Sequence, residues 1–198
     1  MHPNRAFRPD HPQALDRMVD EIGFGQLFAQ TPDGPRVAHV PAVTAGDAIR
    51  FHLARSNALT RHFDGAVALF VVTGPDAYIS PDWYGEADQV PTWNYIAAEF
   101  EGTVRRLDQA GLVEQIDTLT AREEARLAKT EWTRAKMDGR IFDRMLDAIV
   151  GFELVVTERR GTVKLNQNKP AEARLAAAEA LDRLGRSAIA ERMREVER

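Results

Sequence analysis

Along the chain, apolar positions first recur at helical spacing: Leu15, Met18, Val19 and Ile22 stand three and four apart, which places them on one face of a helix over Asp10 to Ile22. From Gly25 the period shortens. Gln26 to Ala29, Arg36 to Val43 and Ala48 to Leu53 are short runs rich in Val, Ile, Phe and Leu, separated by the turn formers Pro32-Asp33-Gly34 and Ala45-Gly46-Asp47, and they predict an antiparallel meander of three strands. Ser56 is placed to cap a short helix over Ala58 to Phe63. The nearly continuous apolar run Ala66 to Thr73, ended by Gly74-Pro75, predicts a buried central strand. Asp76 to Ser80 and Ile96 to Leu107 read as further strands on either side of an aromatic loop. From Asp108 the period is helical again: Leu112, Ile116, Leu119 and Leu127, then Met145, Leu146 and Ile149, predict two helices separated by a charged stretch from Lys129 to Asp138. Ile149 to Val156 returns to strand. Pro170 opens a last helix with Leu175, Leu181 and Leu184 on one side, and Gly185 breaks it before Ile189, Met193 and Val196.

Six or seven short antiparallel strands, a helix between the third and fourth, and helices inserted before a late strand describe a mainly β fold with α additions: a β-barrel with flanking helices and a C-terminal helical segment. Nothing in the order alternates as parallel βαβ units do. At 198 residues the chain can bury one sizeable core, and the pattern divides it into a barrel domain over 1–169, with a helical insertion at about 108–148, and the helical segment 170–198.

Composition narrows the function classes. The 26 basic and 30 acidic side chains are mixed along the sequence, so a formal charge of -4 gives no field that gathers polyanions. The segment from Pro170 holds six basic and six acidic residues, and no basic recognition helix stands out. Absence of cysteine removes disulfides, thiolate metal sites and cysteine nucleophiles, and fits a reducing compartment. The N-terminus carries no apolar stretch of signal-peptide length and no eighteen apolar residues run together, so a soluble, cytoplasmic protein is the expectation.

Familiar catalytic signatures are missing. Gly23-Phe24-Gly25 lacks the remaining glycines of a phosphate or dinucleotide loop. The histidines form no helical His-x-x-x-His pair, and no Gly-x-Ser-x-Gly elbow occurs. What remains is a polar and aromatic constellation. His52-Leu53-Ala54-Arg55-Ser56-Asn57 runs from a strand end into a helix start, where backbone N-H groups and a nearby Arg favour a phosphate, although an ordinary capping turn explains Arg55, Ser56 and Asn57 as well. His39 can hydrogen-bond a heterocycle or be satisfied at the edge of the core. Trp83, Tyr84, Trp93 and Tyr95 fall within thirteen residues in a chain with three tryptophans and three tyrosines, which suits a planar ligand, an interface or a loop folded over the core. Lys164-Leu165-Asn166-Gln167-Asn168-Lys169-Pro170 gathers amides and cations, a set that suits an anionic ligand, a partner contact or a solvated turn.

The runs Gly74 to Tyr84, Val90-Pro91-Thr92-Trp93-Asn94-Tyr95, Ile149-Val150-Gly151-Phe152 and Lys164 to Lys169, in this order, resemble the PaiB family, described as FMN-binding negative transcriptional regulators. The likeness takes in the Phe7 region, Phe24-Gly25 and His39-Val40-Pro41 as well. One departure is Asn166, where the family often has Ser; both side chains hydrogen-bond. The resemblance implies an FMN-binding split β-barrel of the flavin-reductase and pyridoxamine-phosphate-oxidase type, a homodimer with FMN at the subunit interface. It assigns Arg55, Ser56 and Asn57 to the phosphate and His39 to a strand facing the flavin. Trp93, Asn94, Lys164, Gln167 and Asn168 then border the ring system or the partner subunit. DNA as a partner, and with it the regulatory role, comes from the resemblance alone. Related split barrels suggest two alternatives: a flavin-dependent oxidoreductase, or a haem-binding barrel with His39 or His52 as axial ligand.

Overall fold

Turn chemistry sets the register of the first strands. The computed structural model describes residues 3–9 and 11–196; His2 and the first position of the expected first helix, Asp10, lie outside the described residues. Helix α1 (Pro12–Ile22) leads into β1 (Phe24–Thr31), which pairs with β2 (Gly34–Ala45) across a two-residue turn, from Thr31 opposite Gly34 to Phe24 opposite Pro41. The Thr31 hydroxyl donates to the Gly34 carbonyl at 2.7 Å and locks that turn. The turn from β2 to β3 (Ala48–Ala54) uses Gly46 at φ 60, a left-handed conformation that glycine adopts without cost. The expected meander is therefore present, with every registered pair antiparallel.

The next strands run longer than their local patterns suggest. Gly74-Pro75 does not end a strand: β4 continues from Val67 to Ile79 straight through it. A proline removes one donor and a glycine one side chain, and neither forbids extended backbone where no ladder bond is needed. β5 spans Thr92–Arg106 and β6 spans Ile149–Lys164, eight residues past the expected end at Val156. The six strands bond in the order β1-β2-β3-β6-β5-β4, and β4 pairs back with β1 to close a barrel. Between Ala54 and β4, where a capped helix was expected, there is one 3-10 turn over Thr60–His62. Asn57 rather than Ser56 supplies the side-chain acceptor, taking the Leu59 N-H at 2.9 Å.

By contacts the chain forms two compact units, each assembled from separate stretches. The larger takes Asp16–Val72 and Glu99–Arg159. Its core is aromatic: Phe51 stacks on Phe152 at 5.9 Å, Phe63 meets both edge-on, and Phe70 lies 6.3 Å from Phe100. All five rings are fully buried, at about 1.5–3 kcal/mol of burial free energy each. Gly102 lets β5 and β6 approach so closely that a Cβ there would stand 2.1 Å from the Val155 carbonyl oxygen. Helix α2 (Gln109–Glu124), capped by the Asp108 carboxylate on the Gly111 N-H, and α3 (Gly139–Leu146), capped by Asp138, lie between β5 and β6 in the chain.

The other unit gathers Met1–Leu15, Thr73–Ala98 and Arg160–Arg198, so the C-terminal helices α4 (Ala171–Arg183) and α5 (Ser187–Arg194) cluster with the ends of β4, β5 and β6. The packing face of α4 differs from the expectation. Leu181 is buried, but Leu175 and Leu184 are exposed and the face is made by Ala173, Ala177, Ala178 and Ala180. Small side chains let a neighbour come close, and α5 takes that place with Ile189, Ala190 and Met193 buried. Gly185, at φ 72, makes the break between the two helices.

Candidate functional site

In the larger unit the turn after β3 presents Arg55 and Ser56 to solvent. The Arg55 guanidinium is anchored from behind: Nε donates to the Asp147 carbonyl at 2.7 Å and Nη2 to the Ile149 carbonyl at 3.3 Å. Anchoring of this kind spends rotamer freedom in advance and leaves an exposed, oriented cation, the feature that a phosphate group requires. Asn57, by contrast, spends its Oδ1 on the turn itself. A small cleft of about 150 Å³ lies beside Arg55, lined also by Arg106, Asp108 and Asp147.

The two histidines of the candidate set differ. His39 is exposed on the outward face of β2, opposite Gln26 of β1. His52 is half-buried on β3 and its Nδ1 stands 3.1 Å from Oε1 of Gln115 in α2. Gln115 is 1% exposed and its Nε2 has no protein partner, an orphaned donor next to the ring. Sequence reading missed Gln115. The signal was available, because it falls in the apolar stripe of α2 three residues after Leu112, where a polar side chain needs a reason to be buried.

In the other unit Trp93 is half-exposed, and its rotamer is fixed by an Nε1-H bond to Asp76 Oδ1 at 3.0 Å and an edge contact to Tyr78 at 6.2 Å. Asp76 and Tyr78 are outward positions of β4 that complete this aromatic surface. Asn94, the next residue, points the other way. It is fully buried, its Nδ2 meets the Met193 sulfur of α5 at 3.4 Å, and its Oδ1 has no partner.

The Lys164 to Lys169 run folds inward on its own unit. Lys164 donates to the Thr92 hydroxyl and lies 5.9 Å from the centre of the Phe7 ring; its partial burial lowers its pKa from the ordinary lysine value. Gln167 is spent on backbone: Nε2 donates to the Ala6 and Val163 carbonyls, and Oε1 accepts from Leu165 N-H at 2.7 Å. Asn166 sits at φ 61, buried, and gives Nδ2 to the Tyr84 hydroxyl at 3.2 Å. Lys169 reaches Gln89 and lies over the Tyr84 ring at 5.0 Å. Asn168 is exposed. Of the candidates in this unit, Trp93 and Asn168 face solvent, while Asn94, Lys164 and Gln167 bind the unit together. Among the described residues no group of three or more His, Asp or Glu side chains is placed to hold a metal ion.

Within the larger unit, the anchored Arg55 beside the exposed Ser56 has the chemistry to meet an anionic group and the exposed His39 can hydrogen-bond a heterocycle; in the other unit, taken by itself, Trp93 offers a face for stacking. Residues 1–158 match the family model described as "Putative FMN-binding domain". The chain is similar to the "Protease synthase and sporulation protein PAI 2" of Bacillus subtilis, 29% identical over 175 residues covering 85% of this chain and 83% of that one. A Saccharomyces cerevisiae protein of uncharacterized function is 34% identical over 131 residues, 58% of this chain and 78% of its own. Among solved structures, the FAD and heme binding protein of Mycobacterium smegmatis superimposes with a TM-score of 0.59 at 18% identity, covering 86% of this chain and 79% of that one. The flavocytochrome Anf3 of Azotobacter vinelandii does so with 0.62 at 14% identity, covering 82% and 72%. At these identities the structural likeness is one of fold, and it places the barrel among the split barrels. With a family model matched over residues 1–158 and a relative aligned over most of both chains, the chain belongs to the PaiB family of FMN-binding-domain proteins.

Proposed function

We propose that this chain is a cytoplasmic, homodimeric FMN-binding protein whose flavin state sets a regulatory output, with Arg55 and Ser56 holding the phosphate. The observation that carries the reading is the match of residues 1–158 to the FMN-binding-domain model, together with an anchored, exposed arginine at the strand end where the resemblance puts the phosphate. FMN, when bound, supplies the redox chemistry; the protein's part is to bind and orient it. The name of the Bacillus subtilis relative, which speaks of protease synthase and sporulation, supports a regulatory output. Direct DNA binding draws no support from the mixed surface charge.

Purified protein loaded with FMN is expected to show paired absorption bands in the near ultraviolet and blue, and FMN fluorescence should quench on titration. Arg55→Ala is expected to raise the FMN Kd about ten-fold, the loss of one charge-assisted contact. An unchanged Kd in Arg55→Ala removes the phosphate assignment, and failure of the wild-type protein to quench FMN removes the flavin reading. A Soret band in place of the flavin pair would transfer the site to haem.

A further inference from the structure

Between α2 and α3, in the larger unit, the connection 125–138 is exposed over almost its whole length, yet side chains tie it down at three points. Glu124 Oε2 accepts from the Trp132 N-H at 2.7 Å and from the Lys129 ammonium. Arg134 grips the Asp117 carboxylate of α2 with two N-H groups, at 3.2 and 2.9 Å, and lays its guanidinium over the Phe142 ring of α3 at 5.1 Å. Asp138 caps α3 through the Arg140 N-H at 2.9 Å. Long connections with little secondary structure of their own are usually functional. This one and the two helices enclose a cleft of about 620 Å³, within the size range of small-molecule sites, with Trp132 and Phe142 among its walls.

We propose that this cleft binds a small organic ammonium ion carried on an aromatic body. Charge selects the cation. The side chains of Asp117, Glu131, Arg134 and Asp143 line the cleft, and Arg134 is already matched by its two-point bond to Asp117. Glu131 and Asp143 form no ion pair among the described residues, and Lys136, which reaches the Glu131 carbonyl at 2.6 Å, does not line the cleft. A ligand with a carboxylate or phosphate meets two like charges there, whereas an ammonium group meets two carboxylates. Thr120 and Thr133 add hydroxyl oxygens that can accept its N-H groups. The walls select the body. Trp132 is 38% exposed, and indole is the side chain that attracts a cation best and also stacks on a flat ring. The same charges disfavour FMN here, so the site stands apart from the flavin reading and does not depend on it.

Three tryptophans give three indole N-H signals in a nitrogen-proton correlation spectrum of the labelled full chain, and Trp132→Phe identifies the one from the cleft. Titration with 2-phenylethylamine is expected to move that signal to saturation with a Kd of about 1 mM or tighter, while 3-phenylpropionate, of similar size and opposite charge, leaves it in place. Glu131→Gln and Asp143→Asn should each raise the Kd about three-fold and together about ten-fold, and added salt should raise it in the wild type. Should the double variant lose the helical circular dichroism, the single variants and the salt dependence decide. The proposal is overturned if about 10 mM amine gives no saturable movement, if the carboxylate binds equally well, or if neither substitution nor salt weakens the amine. FMN titration of the same variants is an independent reading: an unchanged FMN Kd is expected, and a protein that takes the amine and not FMN keeps this site while losing the flavin one.

Discussion

Asn166 is one of two non-glycine residues at positive φ among the described residues. It holds that conformation while donating to the buried Tyr84 hydroxyl, so backbone and side chain can be separated by substitution. Asn166→Gly removes the hydrogen bond and keeps the left-handed backbone easy; its expected cost is about 1 kcal/mol. Asn166→Ala adds the steric penalty of a Cβ at positive φ, and should cost about 1 kcal/mol more. Urea unfolding of the two variants measures the difference. Burial raises the Tyr84 phenol above its ordinary value of 10.0, opposed in part by the Asn166 bond. Between 10.0 and that raised value the unfolded chain gives up the proton while the folded chain keeps it, so this group makes stability fall as pH rises through that window, and it is silent below. Tyr84→Phe is expected to flatten that part of the alkaline stability curve. The inward position of Asn94 was legible: alternation through Ile96, Ala98 and Phe100 sets its face. The partners of the Lys164 to Lys169 run were not, because composition shows which donors are present and not that Gln167 will spend them on a carbonyl 161 residues away.

At the scale of elements, close approach decides what periodicity cannot. Gly102→Ala would drive a Cβ against the Val155 carbonyl of the paired strand, and it is expected to destabilise by about 1–3 kcal/mol as β5 and β6 part; thermal unfolding followed by circular dichroism reads the loss. The meander and the insertion helices were readable because turn residues and apolar spacing act locally. Two features escaped for physical reasons. Gly74-Pro75 carries a strong turn signal, yet tertiary pairing carries β4 through it. The α4 leucines suggested a face, yet the alanines won, since a close helix neighbour rewards small side chains over large ones. Leu175 and Leu184, left in solvent, should therefore accept polar residues with changes within about 0.5 kcal/mol.

For the molecule as a whole, the Asn166 knot has a consequence in time. Its contacts join Lys164, Asn166, Gln167 and Lys169 to segments 72, 82, 161 and 80 residues away. Contacts that close such long loops pay their entropy before any reward arrives, which favours assembling them after the local hairpins of β1, β2 and β3. A contact absent from the transition state leaves the folding rate alone and appears wholly in the unfolding rate. Asn166→Gly is accordingly expected to speed unfolding about five-fold with refolding unchanged, measured on the two arms of a chevron plot. The polar run near the C-terminus then acts as a latch: it contributes little to how fast the chain finds its fold and much to how long it stays there.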